Sequence, residues 1–388
     1  MSILRDDLPF VLMRGGTSKG IFLRAQDVPT DREQLSLVLL DLFGSPDRRQ
    51  IDGLGGADKL TSKAAIIGPP VREGTDVTYL FGQVGTVRGE VDYKLNCGNL
   101  TAAVGVYAIQ EGLVAPVDGT TVVRVHNVNT DRVIRVEVPV RDGQPQWRGS
   151  LAIGGVPGTG AAISLDFSQA VGAITGTLLP TGQAAEVLDV PGVGAVEMSI
   201  VDGANMAIYV HHTALGMSGI ESPEEIDASE DLKRRMDAIR QAVAYRCGLR
   251  AYWDSRMAPS TPMLIVLSAP AAYRSCTQGE LIEAAGIDLV VRQFASGSAS
   301  KTLAGTLTAT TGLACRIPGS LPHRILTAAR GQVTRTLAFG HPSGVIYVEA
   351  DVDASAGAAP VVRRLAIQRT ARRLAEGRAF LKHAIEKR

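Results

Sequence analysis

The chain has 388 residues, of which 45% are hydrophobic and 20% charged, enough to bury a sizeable core and to make two domains. Forty Lys plus Arg against 39 Asp plus Glu leave a formal net charge of +1, so no global field recruits nucleic acid or an anionic membrane, and an acidic ligand has to be held by local groups. Apolar runs such as Met263 to Val266 break within a few residues, which excludes a bilayer-spanning helix, and the opening MSILRDDLPF lacks a signal-peptide core.

In chain order, MRGGTSKG at 13–20 reads as a glycine-rich turn between strands, followed by a helix over Arg32 to Phe43. A glycine-rich stretch, IDGLGGADKLTSKAAII at 51–67, leads into an apolar run, and strands are expected over 77–84, 122–125, 133–140 and 195–201. Further helices are predicted over 100–110, 232–247 and about 302–314, and the basic tail from Val361 reads as a strand and a helix that close the fold. Strands outnumber helices and do not alternate with them regularly, so the class is α+β rather than doubly wound. The Pro- and Gly-rich loop at 178–194 places a boundary between an N-terminal lobe, 1–184 completed by 365–388, and a C-terminal lobe, 185–364, containing the 300–314 helix.

The cysteines, Cys97, Cys247, Cys276 and Cys315, are far apart with no CxxC pair, which argues against a zinc knuckle or a disulfide framework and for a reducing cytoplasm. No HExxH or HxH pattern occurs among the six histidines, so their spacing gives no sign of a metal site. Adjacent His211 and His212, at a predicted strand end, should point to opposite faces.

Three clusters carry candidate chemistry. In MRGGTSKG, Gly15 and Gly16 let backbone amides approach a ligand, and Arg14, Thr17, Ser18 and Lys19 supply donors for a carboxylate or phosphate; the GxxxxGK[ST] spacing of a P-loop is absent. Ser62 and Lys63 sit where the second cluster enters its apolar run, and partial burial there disfavours an ammonium, which suits a lysine base. In NCGNLTAAVGVYAI, Asn96, Cys97, Gly98 and Asn99 open a helix whose Leu100, Ala103, Val104, Tyr107 and Ala108 share one face. A cysteine at that start meets unpaired amides and the positive end of the dipole, which favour thiolate, and the same amides can hold a carboxylate. Laying NCGNL over ASKTL in the second half pairs Cys97 with Ser300 and Leu100 with Leu303, making Ser300, Lys301 and Thr302 a second anion-binding segment. A turn between strands, a solvated lysine and a buried inert cysteine are the structural alternatives.

MRGGTSKG, GSPD at 44–47, IDGLGGADKLTSKAAI, NCGN, RIPG and FGHPSG, in this order through almost the whole chain, resemble the family of 2-methylaconitate cis-trans isomerases, methylitaconate isomerases and 4-oxalomesaconate tautomerases. Within it, LMRGGTSKG, RQIDGLGGADKLTSK and SPEEIDASEDLKRRMDAIR look most similar to the 4-oxalomesaconate tautomerase branch. The resemblance implies a diaminopimelate-epimerase-like fold, two similar lobes each wrapping a sheet around a central helix, and cofactor-free transfer of a proton on a small polycarboxylate in aromatic-acid catabolism. It assigns catalysis to Lys63, Cys97 and Ser18, and is compatible with a monomer or a homodimer. An aconitate-like tricarboxylate is the alternative substrate, and a non-catalytic carboxylate-binding protein the alternative class. Ser300 and Lys301 stand where several members carry histidine, and Met206 follows Asn205 where many carry proline. The second cysteine of diaminopimelate epimerases is missing, which disfavours a symmetric two-thiol racemase.

Overall fold

The computed structural model describes residues 3–94, 97–331, 336–353 and 361–387. The elements that frame the site are, in chain order, β1 (Ile3–Gly15), β2 (Ser18–Arg24), α1 (Arg32–Phe43), β3 (Lys63–Gly68), β4 (Val77–Val84), α2 (Gly98–Gln110), β5 (Gly119–Asn127), β6 (Arg132–Arg141), β7 (Gly194–Asp202) and β8 (Met206–His211). They continue with α3 (Glu230–Arg246), β9 (Met263–Ser268), β10 (Leu289–Ala295), α4 (Gly305–Ala314), β11 (Thr336–His341), β12 (Gly344–Asp353), β13 (Val361–Arg369) and β14 (Ala371–Lys387). No helix among the described residues is long and apolar enough to cross a membrane.

The chain divides into two compact units, Met1–Ala152 with Gly158–Leu165 and Arg369–Arg388, and Ile153–Pro157 with Asp166–Gln368. Residues 166–184, expected in the first lobe, therefore lie in the second. The bonds there explain it: Phe167 donates to Leu365 O, Gly172 to Asp202 O, and the amides of Ile174 and Thr175 to the Asp202 carboxylate. The Pro- and Gly-rich loop is thus a connection inside the second unit.

In the first unit, β1 and β2 form an antiparallel hairpin, β2 runs parallel to β3, β3 antiparallel to β4, β4 parallel to β5 and β5 antiparallel to β6. One sheet face packs on α2, whose residues from Gly98 to Ile109 are all buried; the other packs on α1 through Leu35, Val38, Leu39, Leu42 and Phe43. A helix enclosed by a sheet has to be apolar all round, which is why α2 carries alanine, valine and glycine on every side. The tail is two strands rather than a strand and a helix: β14 pairs antiparallel with β1. Its period is two, with Ala379 and Leu381 buried and Phe380 and Lys382 exposed, and it covers the edge that β1 would otherwise leave open.

The second unit repeats the order. β7 and β8 are antiparallel, β8 and β9 parallel, β9 and β10 antiparallel, β10 and β11 parallel, and β11 and β12 antiparallel. Its central helix α4 is buried throughout despite four threonines. Thr308, Thr310 and Thr311 stay satisfied there by donating to the carbonyls of Ala304, Thr306 and Leu307 one turn earlier. α3 covers the outer face with Met236, Ile239, Val243 and Ala244.

The internal repeat has a different register from the one expected. Thr101 donates to Cys97 O at 2.9 Å and Thr308 to Ala304 O at 3.0 Å. A Cβ on Gly105 would meet Val136 at 2.6 Å, and one on Gly312 would meet Val348 at 2.8 Å, each in the equivalent strand. Cys97 therefore corresponds to Ala304, four residues beyond Ser300, and α4 starts at Gly305. The sequence carries this register as CGNLTAAVG against AGTLTATTG.

The adjacent histidines also differ from expectation. His211 ends β8 and His212 opens a 3-10 turn, so strand alternation lapses and the rings lie together with centroids 4.4 Å apart. Both are bonded locally, His211 to Thr213 Oγ1 and His212 to Met217 O.

Candidate active site

The site is built where the β1–β2 turn, the start of β3 and the N-terminus of α2 meet. Gly15 faces α2 so closely that a Cβ there would lie 2.4 Å from Asn99 O. Gly16, at φ +50°, would put a Cβ 2.4 Å from Asn99 Oδ1, and one on Gly20 would lie 2.6 Å from Lys63 O and 2.9 Å from the Leu100 side chain. These three positions need glycine because backbone and helix touch there. Asn99 fastens the turn: its Nδ2 donates to Thr17 Oγ1 and its Oδ1 accepts from Arg369 Nε, both at 2.9 Å. Burial pulls the Arg369 guanidinium down to about 10.

Alternation along β2 puts Ser18 and Gly20 on the α2 side, and the parallel register sets Lys63 beside Gly20. The Ser18 side chain is buried and its Oγ has no hydrogen-bond partner among the described residues. Lys63 is only 7% exposed; its Nζ donates to Gln83 Oε1 at 2.6 Å and lies 5.1 Å from the Phe81 ring centroid. Cys97 is the N-cap residue of α2, extended at φ −108° and ψ 92°, buried and reduced, and its side chain makes no capping hydrogen bond. The first amides of the helix and its dipole leave a positive, donor-rich end. Nearby Tyr79 is fully buried, and burial first and Cys97 second push its hydroxyl well above the usual range.

Gly15, Gly16 and Thr17 thus meet Asn99 in the first turn of α2, which Cys97 caps and Gly98 opens, and Lys63 lies beside Gly20 on β2, two residues beyond Ser18. Asn96 lies outside the described residues. Arg14 alternates to the opposite face, where its Nη1 donates to Gly16 O and Thr370 O, both at 2.9 Å, and burial followed by Arg372 lowers its pKa. Ser62 Oγ donates to Gln50 Oε1 at 2.7 Å and so braces the glycine-rich loop. Ser300 and Thr302 are buried in the second unit ahead of α4, where Ser300 N donates to Gln293 O. Lys301 is exposed, 3.8 Å from an equally exposed Glu224, a pair worth little in water. Among the described residues no group of three His, Cys, Asp or Glu side chains is placed to hold a metal ion.

Gln83 and Gln50 were not among the candidate residues, and Arg369, expected with the other tail arginines on a solvated face, is buried. Gln83 had a signal, a polar residue at a core-facing position of the strand VTYLFGQV. Arg369 had none, since it reaches Asn99 from 270 residues away.

In the second unit the same topology carries other side chains: the first paired position of β9 is Met263, beside Ala207, where β3 has Lys63 beside Gly20. Ala304 stands at the helix cap in place of Cys97. The amine and thiol therefore belong to one unit only.

A sheet wound about a buried helix, built twice in one chain, defines the diaminopimelate-epimerase-like fold class. The chain belongs to the PrpF family, whose description, PrpF protein, matches residues 6–382, and it is an isomerase of that family. It is 42% identical over 379 residues to the 3-methylitaconate isomerase of Eubacterium barkeri, covering 97% of this chain and 98% of that one. It is 36% identical over 370 residues to the 4-oxalomesaconate tautomerase of Pseudomonas putida, covering 95% of each. A crystal structure of methylitaconate-delta-isomerase superposes with a TM-score of 0.79 at 42% identity, covering 98% of this chain and 96% of that one. Identity to the methylitaconate enzyme thus exceeds identity to the tautomerase, the branch expected from the motifs.

Proposed function

We propose that the protein moves a proton along the conjugated system of a small unsaturated polycarboxylate without a cofactor, with Lys63 and Cys97 as the acid/base pair. Three observations support this reading: a buried amine at the start of β3, a thiol at the N-cap of α2, and on β2 a buried serine hydroxyl without a hydrogen-bond partner among the described residues. Removal of a C–H proton next to a carboxylate or carbonyl leaves a dienolate, and its negative charge grows on oxygen. The first α2 amides and Ser18 Oγ are donors already fixed in place for that charge, which lowers the barrier without reorganisation. Return of the proton two carbons away completes a 1,3-allylic shift, and return to an enol oxygen completes a tautomerisation. Met263 and Ala304 carry no exchangeable side-chain proton for this chemistry, so the acid/base pair is confined to the first unit.

The 42% identity favours a methylitaconate-type substrate. The motif resemblance favours 4-oxalomesaconate, in breakdown of gallate- or protocatechuate-type aromatic acids, as the second reading. Incubation of the purified protein with 3-methylitaconate, 2-methylaconitate and 4-oxalomesaconate in deuterated water, followed by ultraviolet and NMR spectra, separates them. Label should enter one of the three, at the carbon that gains the proton. Lys63→Ala and Cys97→Ala should each slow turnover by at least about a hundredfold, the usual size for a positioned acid or base. Near-normal rates in both variants remove Lys63 and Cys97 as the acid/base pair, whereas ligand binding with no exchange by the wild type leaves a carboxylate-binding protein.

A further inference from the structure

We infer that Gln83 is a positioning residue for proton transfer, the last member of a relay of two glutamine amides that aims Lys63. The inference rests on the acid/base reading of Lys63. Gln83 lies directly opposite Lys63 in the β3–β4 register. Both its amide hydrogens are committed, to Lys59 O at 3.1 Å and Ser62 O at 3.0 Å. Carbonyls only accept, so the orientation of the amide is fixed and Oε1 is turned to Lys63 Nζ at 2.6 Å. The segment that carries these carbonyls is braced by buried Gln50, whose Oε1 accepts from Ser62 Oγ and Ala57 N, both at 2.7 Å, and whose Nε2 donates to Ser45 Oγ at 2.9 Å. The glycine-rich segment 51–62 thereby acts on the site through the chain Gln50, Ser62, Gln83, Lys63.

A neutral acceptor suits this task. It fixes the direction of the amine but adds no charge, so the amine can lose and regain its proton during turnover. A carboxylate at the same place would make a buried ion pair that favours the ammonium, and it would repel the two carbonyls. The second unit supplies the contrast: where Met263 replaces the lysine, the nearby Gln293 turns its Oε1 to Ala304 N at 2.9 Å, at the helix cap, and its Nε2 lies 3.7 Å from Met263 Sδ.

The test compares Gln83→Glu, Gln83→Met and Lys63→Met with wild type, measuring kcat, KM and thermal midpoint on whichever of the three polycarboxylates is turned over. Gln83→Glu should lower kcat at least about thirtyfold and Gln83→Met about tenfold, with KM within about twofold, because aim rather than ground-state binding is lost. Should Gln83→Glu fail to fold, Gln83→Met decides alone. An inactive Lys63→Met beside Gln83 variants with kcat within about threefold of wild type overturns the inference. So does a rise in KM at unchanged kcat. An active Lys63→Met instead removes the acid/base reading itself.

Discussion

Replacing Gly15 with alanine tests whether the N-terminus of α2 is the working part of the site. The new Cβ would lie 2.4 Å from Asn99 O, 3.0 Å from Leu100 Cα and 3.2 Å from Ala103 Cβ. The first two are backbone atoms, and ordinary contact begins near 3.4 Å, so the helix start has to retreat by about 1 Å. Such overpacking costs about 1–3 kcal/mol of stability. A 1 Å displacement of positioned donors and of Cys97 costs about a hundredfold in kcat/KM, or about 2.7 kcal/mol of barrier. Gly105→Ala, in the middle of the same helix, is the control: its Cβ would meet side-chain methyls of β6, Val136 Cγ1 at 2.6 Å and Val138 Cγ2 at 3.0 Å. It should destabilise comparably and keep activity within a few-fold. Steady-state kinetics beside urea denaturation measure both. A fully active Gly15→Ala, or a Gly105→Ala as inactive as Gly15→Ala, refutes the reasoning.

Burial pushes the thiols of Cys247, to about 11, and Cys315, further, above their ordinary 9.0. The folded state thus holds these protons more tightly than the unfolded chain, so their contribution is whole below pH 9 and fades as pH rises through the folded values. The urea midpoint should fall between pH 9 and 11, and Cys315→Ala should flatten that fall; an unchanged slope contradicts the assignment. Arg240, fully buried, donates to Pro259 O and Pro262 O in the loop that enters β9 and stacks on Trp253. Arg240→Met leaves both carbonyls without that donor and should cost about 2–5 kcal/mol in chemical denaturation, and a loss below about 1 would mean water replaces it. A chelator should leave turnover unchanged, and a loss restored by a divalent ion would place a metal in the reaction.

Much of the local structure was legible along the chain. The boundaries of α1 and β4 follow from a capping Asp31 with Gly44 at the end, and from alternation bounded by turn residues. The candidate clusters were legible too, because glycine beside backbone donors, a lysine entering an apolar strand and a cysteine opening a helix are chemical patterns readable within a dozen residues. The basic tail misled because alternating arginines fit a solvated helix face as well as an edge strand until β1 is known to need a neighbour.

Tertiary contact decided the rest. That Cys97 answers to Ala304 rather than Ser300 depends on which glycine of each central helix meets its strand, and only packing reveals that register. That Gln83 faces Lys63 across β3 and β4, and that Arg369 holds Asn99, depends on partners 20 and 270 residues apart. Propensity and periodicity act over one or two turns of chain, so the amino-acid sequence set which side chains were available and where each element began. Which of them face one another was fixed only when the sheet closed around its helix.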